Sequence, residues 1–315
     1  MRIAFDCYGD TDIGRARSNN EDNFIIASLV QSMRIGGTSA GLDQRTRLFG
    51  ESQGNLLAVA DGLGGHESGQ RASALAIDTV ARHCLNELSW SMSDRPSDDV
   101  IQKRLVAAVN ACQQAISDEV VHTPQSAGMG TTLTLAYIAW PQLYVVHVGD
   151  SRCYLLRDGE LRQLTRDHTL AQLFEDDSES EKAAAGRDDL PSHPEHILWN
   201  VIGGTLDELE PEFIVESLKA GDKLLLCSDG LTRHLPDEHL ADRLKSSHGA
   251  QTICEQLIED ANQSGGRDNI TAIVAHFATG KESSGEGESE SKSRPLDDST
   301  TVNLIKPAAS DSLPT

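Results

Sequence analysis

The sequence has no run of basic residues that would meet a polyanion. Of its 315 residues, 27 are Lys or Arg and 49 are Asp or Glu, for a formal net charge of -22. That balance argues against nucleic acid and anionic membrane surfaces as partners, and any phosphorylated ligand would have to be met by a local positive site. No apolar stretch approaches the roughly 20 residues of a membrane span. The opening Met1-Arg2-Ile3-Ala4-Phe5-Asp6 reaches an acid too early for a secretory signal, and a cytoplasmic location is expected. The six cysteines (Cys7, Cys84, Cys112, Cys153, Cys227, Cys254) include no C-x-x-C pair and no regular framework. They read as reduced, buried, small apolar residues.

What is present is a core-forming chain, 38% hydrophobic. Ile3 to Ile13 and Phe24 to Leu29 predict two strands, joined by the charged loop Arg15 to Asp22. Residues 31–54 are polar and glycine-rich and read as an inserted loop or long hairpin. Leu56-Leu57-Ala58-Val59-Ala60 is a short buried strand running into Asp61-Gly62-Leu63-Gly64-Gly65-His66, where glycines allow a tight turn. Two amphipathic helices follow, one with Ala72, Leu75, Ala76, Val80, Cys84 and Leu88 on a single face, the other with Ile101, Leu105, Ala108, Val109, Cys112 and Ile116. Thr131 to Ala139, Leu143 to Val148, Cys153 to Leu156 and Leu161 to Leu164 form a strand meander, which implies antiparallel pairing. Residues 165–209, with the acidic run Glu175 to Glu181, are too long for a simple connection and read as a flap. Strands at Phe213 to Leu218 and Lys223 to Cys227, helices at Pro236 to Leu244 and Thr252 to Ala261, and a strand at Ile270 to Phe277 complete a domain of residues 1–278. Residues 279–315, rich in Ser, Glu and Gly, are expected to be a disordered tail.

Four loops share one design, an Asp beside a Gly or Asn at the end of an apolar strand: Asp61-Gly62, Gly149-Asp150, Asp229-Gly230 and Asp268-Asn269. Strand ends on one edge of a sheet lie close together, and carboxylates gathered there repel. Two unit charges about 4 Å apart interact by roughly 4 kcal/mol at an effective dielectric near 20, so the cluster calls for cations. No His or Cys stands at metal-binding spacing, and an all-oxygen set favours Mg²⁺ or Mn²⁺. Two such ions lower the pKa of a bridging water and make it a nucleophile toward a phosphoryl group. Arg17 offers a bidentate clamp for the phosphate.

With these residues in place the chain resembles the metal-dependent PP2C-type (PPM) protein serine/threonine phosphatases, in their bacterial form. The resemblance runs in order through Arg17-Ser18-Asn19-Asn20-Glu21-Asp22, Asp61-Gly62-Leu63-Gly64-Gly65-His66, Gly130-Thr131-Thr132, Gly149-Asp150-Ser151-Arg152, Ser228-Asp229-Gly230-Leu231 and Gly266-Arg267-Asp268-Asn269-Ile270-Thr271. It implies an α+β fold, a four-layer αββα sandwich of two antiparallel sheets flanked by helix pairs. It implies that Asp61 bridges two Mn²⁺ or Mg²⁺ ions and that the Gly62 carbonyl binds one of them. Glu21 and Asp22 would lie on the Gly62 side, and Asp229 and Asp268 would hold the other ion. Asp150 with Asp229 matches the position of a third, weaker ion, Arg17 grips the substrate phosphate, and His66 and Asn269 support the ligands. The implied partners are phosphorylated proteins and a cognate Ser/Thr kinase whose substrates the enzyme would act on, with the enzyme expected to be a monomer. One departure is Leu63, where some relatives carry a His that is a candidate general acid.

Other readings start from other residues. Cys227-Ser228-Asp229-Gly230-Leu231-Thr232-Arg233 has the C-x5-R spacing of a cysteine-dependent phosphatase, but Asp229 inside that loop would repel a phosphate dianion, and the end of an apolar strand raises a thiol pKa. A pseudophosphatase that binds phosphoproteins is a further alternative, although every acid needed for catalysis is present. A partner-switching phosphatase is another, and the site residues do not separate it from a kinase-opposing enzyme.

Overall fold

Leu56-Leu57-Ala58-Val59-Ala60 is apolar at every position because both of its faces are covered. Leu56, Ala58 and Ala60 pack in one cluster with Ala72, Ala76 and Val80 and with Ile101, Leu105 and Val109, the inward faces of two helices. Leu57 and Val59 point the other way and join Leu224, Leu226, Ile273 and Ala275 of a second sheet. A third cluster puts Leu225, Cys227 and Val274 of that second sheet against Leu240, Leu244, Ile253 and Leu257 of another helix pair. Three cores therefore separate four layers in the order helices, sheet, sheet, helices. Each fully buried Leu or Val contributes roughly 1.5–3 kcal/mol, and the alternation of each strand between two cores fixes its register.

The computed structural model describes residues 3–34, 47–88, 96–176, 193–204 and 209–279. Among these, one sheet runs in the order β11 (Glu212–Ser217), β7 (Gln142–Val148), β6 (Leu133–Ala139), β3 (Arg47–Ala60), β2 (Asn23–Arg34). The other runs β1 (Ile3–Asp12), β13 (Ile270–Thr279), β12 (Lys223–Cys227), β8 (Arg152–Arg157), β9 (Glu160–Gln163), and all pairings are antiparallel. Helices α1 (His66–Glu87) and α2 (Asp98–His122) cover the first sheet. The buried residues of α2 are Ile101, Leu105, Ala108, Val109, Cys112 and Ile116, the set that three-and-four spacing predicts. On the far side, α5 (Asp237–Lys245) and α6 (Ala250–Gln263) cover the second sheet, after the short α4 (Asp229–Thr232).

Differences from the sequence expectation are local. β2 and β3 extend through residues 31–34 and 47–54 as a hairpin with bulges near Val30, so only residues 35–46 of the expected loop lie outside the described residues. The single strand expected from Thr131 to Ala139 is broken at Thr132 into β5 (Gly130–Thr131) and β6. β5 pairs with β4 (Gly62–Leu63) on one side and β10 (Ile202–Gly203) on the other, a small third sheet. Two-residue strands carry no periodicity, so no sequence signal announces them. In the flap region α3 (Leu170–Asp176) and a 3-10 turn at Pro194–His196 are described, whereas residues 177–192, most of the acidic run, and the tail from 280 are outside the described residues. No described helix is long and apolar enough to cross a membrane.

Candidate metal centre

Antiparallel register decides which carboxylates meet. β2 starts where β3 ends, Asn23 facing Ala60, so Asp22 and Asp61 are neighbours. Cys227 faces Ala272, so the end of β12, followed by Asp229, lies beside the entry to β13, preceded by Asp268 and Asn269. Leu133 faces Val148, which sets Thr132 beside Gly149-Asp150. The strand ends converge on one edge of the sandwich. Asp61 is pushed well above the usual carboxylate range, first by burial and then by repulsion from Asp22, Asp229, Asp150 and Asp268.

Each acid is held by its own local device. The Asp61 backbone is pinned by the break at Thr132: its N–H donates to Thr132 Oγ1 (3.0 Å), and its carbonyl accepts from Thr131 Oγ1 (2.8 Å) and Thr132 N (2.9 Å). Asp22 Oδ2 accepts from Ser228 Oγ and Thr271 Oγ1, both at 2.7 Å, from the facing ends of β12 and β13. Burial, offset in part by these hydroxyls, raises the Asp22 carboxyl to about 7. Asp150 is raised to about 8, chiefly by burial and then by Asp229, with Arg233 opposing. Asp229 is raised by burial, again against Arg233.

The turn after Asp61 is tight because space demands it. A Cβ on Gly62 would lie 2.1 Å from the Gly69 carbonyl oxygen, and one on Gly69 would lie 2.1 Å from Glu21 Oε2. Gly62, Gly69 and Glu21 therefore share one crowded corner. Asp22 lies beside Asp61, bonded to Ser228 and Thr271 and feeling Asp229 and Asp268. Glu21 Oε2 reaches the corner of Gly62 and Gly69 while Asp22 Oδ2 reaches Ser228 and Thr271, so the two adjacent acids take different partners.

Asn269 is a buried joint: Nδ2 donates to the carbonyls of Ile13 and Asn19, both at 2.9 Å, while Oδ1 accepts from Glu21 N at 2.8 Å. It anchors the whole loop that carries Arg17, Glu21 and Asp22. Arg17 stands half exposed at the rim, its Nη2 donating to Asp268 Oδ2 at 2.7 Å. His66 opens α1, but its side chain lies outside the described ones. Cys227 is fully buried in β12 with its thiol pushed up to about 12, mainly by burial, so it offers no thiolate nucleophile.

Ser228, Thr271, Thr132 and Arg233 also shape the site, and their roles were not legible. The signal for the first three was position alone, hydroxyls next to the Asp-bearing strand ends; that for Arg233 was its place four residues after Asp229. His147, His168 and Glu212 also cluster, each with at least one polar atom already hydrogen-bonded. His147 bonds Thr134 Oγ1 and the Gly149 carbonyl, Glu212 accepts from Arg166 N, and His168 Nδ1 accepts from Gly149 N and from Asn200 Nδ2.

The fit to hard cations is tested by what these carboxylates lack. Asp22 Oδ1 and Asp229 Oδ1 are buried and have no hydrogen-bond partner among the described residues. An unsatisfied buried carboxylate oxygen costs several kcal/mol unless a cation meets it, roughly as for any unpaired buried charge. Two of them among mutually repelling acids, with no nitrogen or sulfur donor in the set, suit Mg²⁺ or Mn²⁺.

Known proteins give the same picture. The family model for protein phosphatase 2C matches residues 42–275. The serine/threonine protein phosphatase PstP of Mycobacterium tuberculosis is 41% identical over 221 residues, covering 70% of this chain and 40% of PstP, so the chain spans about two fifths of that relative's length. The serine/threonine phosphatase stp of Listeria monocytogenes is 33% identical over 269 residues, covering 84% of this chain and 92% of stp. A solved catalytic domain of PstP in complex with two manganese ions is 33% identical with a TM-score of 0.66, covering 88% of this chain and 100% of that one. A crystal structure of M. tuberculosis PstP/Ppp is likewise 33% identical with a TM-score of 0.65, covering 87% and 99%. A family match over residues 42–275 and a relative matched along nearly its whole length show that this chain belongs to the protein phosphatase 2C family.

Proposed function

We propose that the chain hydrolyses phosphoserine and phosphothreonine monoesters on proteins, using two Mn²⁺ or Mg²⁺ ions. Asp61 and the Gly62 carbonyl, Asp229 and Asp268 would hold the ions, with Glu21 on the Gly62 side and Asp22 on the Asp229 side. When bound, the ions supply a nucleophile at neutral pH and offset charge on the phosphoryl group. The observation that carries this reading is the pair of orphaned buried oxygens on Asp22 and Asp229, beside an arginine at the rim.

The chain's own residues do the rest. Thr131 and Thr132 lock the Asp61 backbone, so its carboxylate needs no reorganisation. Arg17 presents a planar fork of donors, and its partner Asp268 orients it toward the mouth. Leu63, half-buried where some relatives carry His, gives up no proton, so the leaving serine or threonine oxygen takes its proton from outside the turn. A cytoplasmic monomer acting on the substrates of a Ser/Thr kinase is part of the same proposal.

Turnover of p-nitrophenyl phosphate and of a phosphothreonine peptide should require Mn²⁺ or Mg²⁺, cease with chelator and survive thiol alkylation. Asp229→Asn should lower kcat by about 10³-fold, some 4 kcal/mol of lost stabilisation. Arg17→Ala should raise KM for the peptide by roughly 10- to 100-fold, the worth of a charge-assisted contact. Undiminished activity in Asp229→Asn would remove the proposal.

A further inference from the structure

The C-x5-R spacing that draws the eye to Cys227 also contains Arg233, and the arginine is the member that reaches the site. It follows α4 one helical turn after Asp229, its N–H donating to the Asp229 carbonyl at 2.8 Å. Its guanidinium makes contact with Asp229 Oδ2 and lies 3.8 Å from Asp150 Oδ2 and 3.5 Å from Asp268 Oδ2. The side chain is one third exposed, and Arg233 shares with Asp150, Asp229 and Asp167 the lining of a cleft of about 280 Å³. The space between Asp150 and Asp229, where the family resemblance sets a third and weaker ion, is therefore already served by a positive group that belongs to the chain.

Charge and geometry agree. Glu21, Asp22, Asp61, Asp150, Asp229 and Asp268 are six carboxylates, and among the described residues Arg17 and Arg233 are the guanidiniums in contact with them. With all six acids ionised, as bound ions would require, the remainder is four negative charges, which two divalent ions cancel. A third would leave the cluster positive before any phosphate arrives. Mg²⁺ needs its oxygens at about 2.0–2.1 Å in octahedral array, and Asp229 Oδ2 is already in contact with Arg233. By contrast Asp229 Oδ1, without a hydrogen-bond partner, remains open to an ion shared with Asp61.

We propose that Arg233 is a tethered cation standing in for a third divalent ion between Asp150 and Asp229, so that this chain works as a two-ion member of its family. The inference rests on the reading that the carboxylate cluster holds metal. Arg233 neutralises Asp150 and the outer oxygen of Asp229 without the cost of recruiting an ion from solution, and it excludes one by like charge.

The test is a count of bound Mn²⁺ by equilibrium dialysis of the full chain with elemental analysis, alongside calorimetric titration. The wild type should hold two ions per chain. Arg233→Gln, which keeps the shape and removes the charge, should hold a third at least tenfold more tightly than the wild type does, and Arg233→Lys should behave as the wild type. Adding Asp150→Asn to Arg233→Gln should abolish the extra ion. Three ions on the wild type would overturn the inference even if Arg233→Gln failed to fold. So would an unchanged count in a folded Arg233→Gln, or an extra ion that survives Asp150→Asn. A wild type that binds no Mn²⁺ would overturn the metal-centre reading itself, and the inference with it.

Discussion

The two sides of the carboxylate cluster are built differently. On the Asp22 side, hydroxyls from two adjacent strands clamp one carboxylate oxygen, and a buried amide ties the loop to three backbone groups. On the Asp150 side the acids are tied by arginine: Arg233 serves Asp229, Asp150 and Asp268, and Arg152 grips Asp167 at 2.7 Å. Neutral hydrogen bonds to short, buried groups fix an atom in place. Arginine side chains with four rotatable bonds neutralise charge but can change partners. The first arrangement fixes the position of an atom, and the second balances charge.

The hardest test of that contrast is Asn269→Ala. Removing three bonds from a buried joint, each worth about 1 kcal/mol and more where a backbone group is left orphaned, should destabilise the fold by roughly 2–4 kcal/mol. It should also weaken Mn²⁺ binding, because Glu21 loses its anchor. Thermal unfolding and titration calorimetry measure both, and a variant with wild-type Tm and affinity would show that the Asp22 side is no more rigid than the other.

A smaller effect should appear in the pH dependence of the metal-free protein. Asp22 and Asp150 titrate at about 7 and about 8 in the fold, against 3.8 for an ordinary carboxyl. Between these limits the folded state holds more protons than the unfolded chain, so stability falls as pH rises from about 4 to 8. Saturating Mn²⁺ should flatten that slope by replacing the protons. A metal-free melting temperature that climbs over the same range would contradict the repulsion described here.

The smallest effect belongs to the tail. Ending the chain at residue 280 should leave kcat/KM for p-nitrophenyl phosphate within about twofold, because every site residue named above precedes it. A loss of tenfold or more would mean that residues beyond 280 take part in the site, and the comparison would have to include them.

Much of this was readable before any coordinates. Periodicity located the helix faces, down to the buried set of α2, and the repeated Asp at strand ends foretold the cluster. What escaped was set by contacts between residues distant in sequence. Ser228 and Thr271 become a clamp only once β12 lies beside β13, and the break at Thr132 serves a backbone seventy residues away. Arg233 was visible only within a motif that pointed to the wrong nucleophile.

The small sheet of β10, β5 and β4 links two places that function keeps apart. Gly203 lies opposite Gly130, and Gly130 opposite Leu63, so the exit of the flap and the turn that presents Gly62 are two ladder steps from each other. Such a ladder is a mechanical linkage as much as a scaffold. If the chain takes a phosphoprotein and holds an ion at Gly62 as proposed, a shift of β10 would reach that turn through the ladder, and reciprocity would return the same factor in substrate affinity. Substrate and metal would then read each other through six residues of backbone.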